Sequence, residues 1–190
     1  MNQTIQDKLL KIALEDIVQY GWGGLNLCRV AKTARLSFDE LYQVFPTKGD
    51  VLQALIRKID HASLAQIESF ADEEKVQSRL FAIVMDRFDV MQEYKPVLQV
   101  LWRDLWKDPL FFLCQAPHSF NSMRWVLEAS GVETASLLGS VRVKIFTGFY
   151  LSVVHTWLSD NTTDMAETMA ALDQGLKRLE QIPGFYDSDN

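Results

Sequence analysis

Cysteine and histidine are scarce, with two Cys and three His in 190 residues. Cys28 and Cys114 stand far apart, and Cys28 falls on the apolar side of a short helical pattern. Neither a disulfide framework nor a metal site is indicated, and both thiols are expected to be reduced and buried. His61, His118 and His155 are dispersed, with no His/Cys/Asp cluster at ligand spacing, so no metal and no cofactor are expected. His155, beside Trp157, reads as a structural histidine. A glycine-rich phosphate loop and a Gly-x-Ser-x-Gly elbow are both missing, which leaves no enzyme constellation. Asp104 and Asp108 read as the wet side of a helix or the rim of a cavity. The N-terminus lacks a basic segment followed by an apolar core. No run approaches the roughly 20 apolar residues of a membrane span, so a cytoplasmic protein is expected. Positive charge is short overall, at a net of -6, but the deficit is uneven: residues 1–60 carry eight Lys/Arg against seven Asp/Glu. The acidity lies in the remainder, a split that fits a nucleic-acid-facing head on an acidic body and equally fits an ordinary acidic protein.

Helical periodicity runs through nearly the whole chain, and no stretch alternates as a strand does. Ile5, Leu9, Ile12, Ala13, Ile17 and Val18 follow a possible cap at Thr4 and stop at Gly21. A long helix is expected from Lys48 to about Phe70, and another from Asp72-Glu73-Glu74 to about Tyr94. Pro96 suits the first turn of the next, which Asp108-Pro109 ends. Residues 110–117 read as apolar and irregular, followed by a helix from Ser119 or Asn121 to Gly131. Residues 133–158 are apolar nearly all round after Val141, as in a helix buried on more than one side. Met165, Met169, Leu172, Leu176 and Leu179 mark a last amphipathic helix. The expectation is an all-α chain of about nine helices, with a head over residues 1–48 and a body over residues 49–190.

The most specific stretch runs from Leu25 to Leu55. Leu27, Val30, Ala31 and Ala34 recur at helical spacing after a cap at Asn26. Ser37 with Glu40 makes a capping box, and Leu41, Val44 and Phe45 give a second short helix one apolar side before Pro46 stops it. Two short helices joined by a three-residue turn, with a long helix from about Lys48, form a helix-turn-helix unit. The second short helix is its candidate reader of a DNA major groove. Gln43 is the residue there most able to read an adenine edge.

These residues resemble the TetR family of one-component regulators. Val30-Ala31 stands where that family has Ile-Ala, and Ala34-Arg35-Leu36-Ser37 where it has Ala-Gly-Val-Ser. Leu41-Tyr42 and Phe45 match its Leu-Tyr and Phe, and Lys48 with Val51-Leu52 matches the opening of its fourth helix. The resemblance implies a homodimer that binds an operator, with Tyr42 and Lys48 as phosphate contacts; Ser37 and Gln43 complete the expected contacts to the duplex. It implies pairing through the last two long helices, which carry Val154, Trp157, Met165, Met169, Leu172 and Leu176. Two positions depart from the pattern. Arg35 replaces a glycine at a site where positive φ is usual and costs a side chain roughly 1 kcal/mol or more, so the turn is expected to differ. The reading helix holds Asp39 and Glu40 and no basic residue, which weakens its attraction to phosphate.

Met85, Phe88, Trp102, Trp106, Trp125, Phe146, Phe149 and Tyr150 are large, soft side chains that fill a core or line an adaptable pocket for an apolar small molecule or lipid. The TetR resemblance implies the pocket, since its members hold an effector between body helices. Thr156-Trp157-Leu158-Ser159-Asp160, Asp164-Met165, Thr168 to Leu172-Asp173 and Gly21-Trp22 carry a looser second resemblance, to the TetR-fold lipid-binding accessory proteins of ubiquinone biosynthesis. That likeness implies an isoprenoid carrier that has lost DNA binding.

Overall fold

The structure of the chain is a computed structural model that describes residues 3–67, 74–105, 107 and 109–186. Among these residues there are nine α-helices and no strand, so the all-α class read from periodicity holds. They are α1 (Gln3–Gly24), α2 (Leu27–Ala34), α3 (Phe38–Val44), α4 (Lys48–Leu64), α5 (Val76–Gln92), α6 (Lys95–Leu105), α7 (Pro109–Ser130), α8 (Leu137–Ser159) and α9 (Ala166–Glu180). The chain divides into two compact units, one of residues 1–58 and 93–116, the other of residues 59–92 and 117–190. The expected division at residue 48 marks the start of α4, whereas the compact units part within that helix.

In the first unit α1 packs on α6 and α2, and α2 on α3. Leu9, Ala13 and Ile17 of α1 and Val97 and Leu101 of α6 are buried, the apolar stripes that three- and four-residue spacing creates. Helix α1 does not stop at Gly21 but kinks there, with φ 78°. A Cβ at that glycine would lie 2.9 Å from Asp104 Oδ2, which accepts the backbone N–H of Trp22 at 3.0 Å. Arg103 and Lys107 each approach the Asp104 carboxylate to 3.1 Å. The Arg103 hydrogen bond leads in holding that carboxyl down to about 2. Asp104 is thus no wet-side residue; it fastens the kink of α1 to α6. Trp22 is buried beside it, as a wedge between helices.

In the second unit α9 packs on α8 and α5. Phe88 stacks on Tyr150 and Trp157, with centroids 5.8 and 5.6 Å away. A buried arginine sits beside this stack. Arg87 pairs with Asp60 at 2.6 Å and donates to the Tyr150 hydroxyl at 3.0 Å and Ser122 Oγ at 2.9 Å. Ser122 in turn donates to Asp60 at 2.5 Å. The node joins α4, α5, α7 and α8, and removing one partner of such a pair typically costs about 3–5 kcal/mol because the other charge is stranded. Burial opposes the Arg87 charge, but Tyr150 and Asp60 prevail and raise its pKa. Asp160 closes the turn between α8 and α9 by accepting from the N–H and hydroxyl groups of both Thr162 and Thr168. Burial pushes this carboxyl up, and the four donors outweigh it, leaving its pKa lowered.

Several expectations need correction. Helix α4 ends at Leu64, and the expected end at Phe70 and start at Asp72-Glu73 lie outside the described residues. Residues 110–117 are helical, because α7 starts at Pro109 and continues through Pro117. A proline at the first helical position gives up no bond, whereas Pro117 sacrifices one, at about 3 kcal/mol or more. The compact units part between Ala116 and Pro117. Helix α8 is long and apolar enough to cross a membrane, with mean hydropathy 1.4 over 18 residues, contrary to the expectation that no run was. Of that window 44% is buried in the protein, and core helices of soluble proteins meet the same criterion of length and composition. Cys28 is exposed, because α2 buries Val30, Ala31 and Ala34 instead; the Cys114 side chain lies outside the described residues. His155 is exposed rather than set in an apolar core.

Candidate nucleic-acid interface

Helix α2 is started by Asn26, whose side chain accepts from the Arg29 N–H at 3.2 Å. Arg29 lies 3.9 Å over the Tyr20 ring and forks onto both carboxylate oxygens of Asp16. Asp16 also accepts the Asn26 N–H at 3.1 Å, so one buried carboxylate ties α1 to the start of α2. Burial would raise its pKa, and the Arg29 hydrogen bonds with the Asn26 N–H lower it on balance. Lys8 ties α1 to the other end of α2, donating to the Ala34 carbonyl at 2.7 Å. The orientation of the helix-turn-helix is therefore set by α1 through residues that sequence reading did not single out.

The turn keeps its geometry despite losing its glycine. Arg35 itself adopts the left-handed conformation, φ 56° and ψ 43°. Its N–H reaches the Lys32 carbonyl at 3.1 Å, and the Leu36 N–H reaches the Ala31 carbonyl at 3.0 Å. The expected distortion is absent; strain of roughly 1–2 kcal/mol is tolerated instead. The Arg35 and Lys32 side chains are exposed and form no ion pair among the described residues.

Helix α3 begins with the expected capping box. Ser37 Oγ accepts from the Glu40 N–H at 3.2 Å, and Glu40 Oε2 accepts from the Ser37 N–H at 2.8 Å and its hydroxyl at 2.9 Å. These bonds lower the Glu40 pKa, the backbone one most. Gln43 Nε2 donates to Asp39 Oδ2 at 2.9 Å. Lys48 is half-buried and donates to the Gly23 carbonyl at 3.1 Å. Of the expected contact residues, Ser37 is engaged in the cap of α3, Gln43 within α3, and Lys48 at the end of α1, while Tyr42 is 64% exposed. Phe38, which sequence reading did not mark, is 55% exposed in the first turn of the same helix.

The expected pocket residues are divided between the two compact units. Trp102 is in the first unit, and Met85, Phe88, Phe146, Phe149 and Tyr150 are in the second. Trp106 lies outside the described residues, as do the side chains of Phe111 and Phe112. Phe88, Phe146 and Tyr150 are buried, Phe88 stacked on Tyr150 and Phe146 tilted against Phe149, whereas Trp125 is 58% exposed on α7. The first unit has an open groove of about 760 Å³ whose lining includes Leu14, Val18, Lys58, Tyr94 and Val97. Lys58 is paired there with Asp7 at 3.1 Å. Among the described residues no group of three or more His, Cys, Asp or Glu is arranged to hold a metal ion.

The residues expected at a dimer face are mostly covered within a single chain. Trp157, Leu172 and Leu176 are fully buried, Val154 and Met165 nearly so, and only Met169 is half-exposed. Within one chain α8 and α9 turn most of these side chains inward. The open side of α8 holds Leu138, Val141 and Ile145, at 66%, 50% and 37% exposure.

No protein-family model matches the chain, and no curated protein does. Solved structures do. A TetR transcriptional regulator from Nitrosomonas europaea superposes with TM-score 0.72 over 91% of this chain and 96% of its own, at 19% identity. The chain has the TetR-regulator fold. A second TetR transcriptional regulator, from Rhodococcus sp. RHA1, gives TM-score 0.70 over 95% of this chain and 98% of its own, at 14% identity. A third, from Streptomyces coelicolor, gives 0.61 over 95% and 82%, at 14% identity. In this TetR fold the likeness extends well past the helix-turn-helix, to α9. The lipid-accessory reading gains no support from these comparisons. Part of the sequence pattern behind it, Asp160 with Thr168, has a structural reason in the carboxylate that closes the α8–α9 turn.

Proposed function

We propose that the chain is a TetR-like transcriptional regulator, cytoplasmic, that binds operator DNA as a homodimer and responds to a small apolar ligand. The observation that carries the reading is a left-handed Arg35 turn leading into a capped α3 whose Phe38 and Tyr42 side chains stand open to solvent. Lys32 and Arg35 supply the charge that α3 lacks, and Tyr42 and Lys48 add contacts at its far end. Dimerisation uses the open side of α8, where Leu138, Val141 and Ile145 form an apolar stripe that a monomer would leave in water. Paired reading helices about 34 Å apart then address a palindrome. The ligand half of the reading rests on Met85, Phe88, Phe146, Phe149 and Tyr150, soft side chains grouped in the second unit. An enzymatic role is not part of the proposal.

Fluorescence anisotropy with DNA flanking the chain's own coding region tests the DNA reading. Binding that weakens steeply with salt, and less steeply in Lys48→Ala, supports it. Absence of binding at low salt contradicts it. Native mass spectrometry followed by solvent extraction tests the ligand: a bound apolar molecule lost on Phe88→Asp supports it, and an empty protein unaffected by candidate ligands does not.

A further inference from the structure

We propose that Phe38 determines operator specificity by packing its ring against the 5-methyl group of a thymine in the major groove. The inference rests on the DNA-binding reading above. The polar inventory of α3 leads to it. The Glu40 carboxylate is held by the N–H and hydroxyl of Ser37, and the Gln43 amide is held by Asp39. The side chains that would ordinarily make polar contacts to base edges are therefore bonded to each other. Both carboxylates can accept only from amino groups of cytosine or adenine, and each is repelled by phosphate. What α3 offers instead is aromatic surface. Phe38 and Tyr42 are 55% and 64% exposed, and four-residue spacing sets them on one side of the helix.

Among the described residues nothing accounts for an exposed phenyl ring in the first turn of this helix, since α3 buries Leu41 on its inner side. The first turn is where helix-turn-helix proteins bring side chains to base edges. Of the groups displayed in the major groove, only the thymine methyl is apolar. Exposed Lys32 and Arg35, in the residues just before α3, give a phosphate backbone a reason to sit there. Tyr42 keeps a hydroxyl for phosphate, and the ring of Phe38 is left for the base.

The test removes the methyl from the DNA rather than the ring from the protein. Binding sites are selected from a random-sequence pool with the whole chain, and each thymine of a half-site is then replaced by uracil, singly and in both half-sites together. Burying one methyl is worth about a fourfold change in affinity, so one position is expected to weaken binding about three- to fivefold per half-site. In Phe38→Ala that position should lose its sensitivity, in Phe38→Leu it should keep part of it, and both variants should show the salt dependence of the parent. The proposal is overturned if no thymine shows a uracil effect that depends on residue 38. It is also overturned if Phe38→Ala changes the salt slope instead, which would make residue 38 a backbone contact. Failure of selection to enrich any site is a different result, which rejects the DNA-binding reading and this inference with it.

Discussion

Replacing Arg35 by glycine should move stability and DNA affinity in opposite directions. At φ 56° and ψ 43° the arginine occupies the left-handed region, where a Cβ costs roughly 1–2 kcal/mol. Glycine enters that region freely but loses about 0.5–1 kcal/mol more backbone entropy on folding. The difference leaves Arg35→Gly more stable by about 0.5–1 kcal/mol, a rise in Tm of about 1–4 °C for a chain of this size. The side chain is exposed and ion-unpaired among the described residues, so its removal breaks no internal ion pair. On DNA the same change deletes one cation per head. The slope of log affinity against log salt should fall by about 0.9 for each phosphate that is no longer neutralised, or about 2 for a dimer. Differential scanning fluorimetry and anisotropy between about 50 and 200 mM salt read both effects. A lowered Tm would refute the strain argument, and an unchanged salt slope would refute the pairing of Arg35 with phosphate.

Three further outcomes follow from the same structure. Gly139→Ala should destabilise the chain by about 1–3 kcal/mol, because a Cβ there would stand 2.5 Å from the Thr134 backbone, which has no rotamer to change; urea unfolding measures it. Asp104 has a carboxyl pKa held at about 2 in the fold against 3.8 when unperturbed, so the stability it contributes is complete above about pH 4 and lost as pH falls toward 2. Asp104→Asn should therefore be less stable than the parent by about 1–2 kcal/mol near neutrality, and the two should converge as pH falls through and below about 2. Ile145→Asp should convert a dimer of the 21.8 kDa chain to a monomer with little loss of fold, as read by light scattering; a parent that is already monomeric would contradict the proposed interface.

The local grammar of the helices was legible in the sequence, and their inward faces were less so. Asn26, Ser37 and Glu40 act where their spacing places them, because caps depend on residues three positions apart. Arg35 illustrates the limit: sequence indicates a strained position, but only the structure shows that the arginine accepts the strain and the turn survives. The dimer and pocket faces were the least legible part, for a common reason. An apolar residue on an all-round apolar helix can face the core of its own chain or another, and Trp157, Leu172 and Leu176 face their own. Two signals went unused. Arg87 falls in register with Leu80, Ile83, Val84, Phe88 and Met91, and Asp16 in register with Leu9, Ala13 and Ile17. A charge on an apolar stripe must find a partner when buried, and these two found Asp60 and Arg29. The groove lined by Leu14 and Val97 was not foreseeable from either segment alone, since it joins residues far apart in the chain.

Selection from a random-sequence DNA pool by the purified full chain tests the central claim most directly. The expected result is enrichment of a palindrome whose half-sites lie one helical turn apart, about 10 base pairs, or a small multiple of that. Affinity for the enriched site should fall steeply as salt rises. A pool that stays random, with no salt-dependent retention of any duplex, would contradict it.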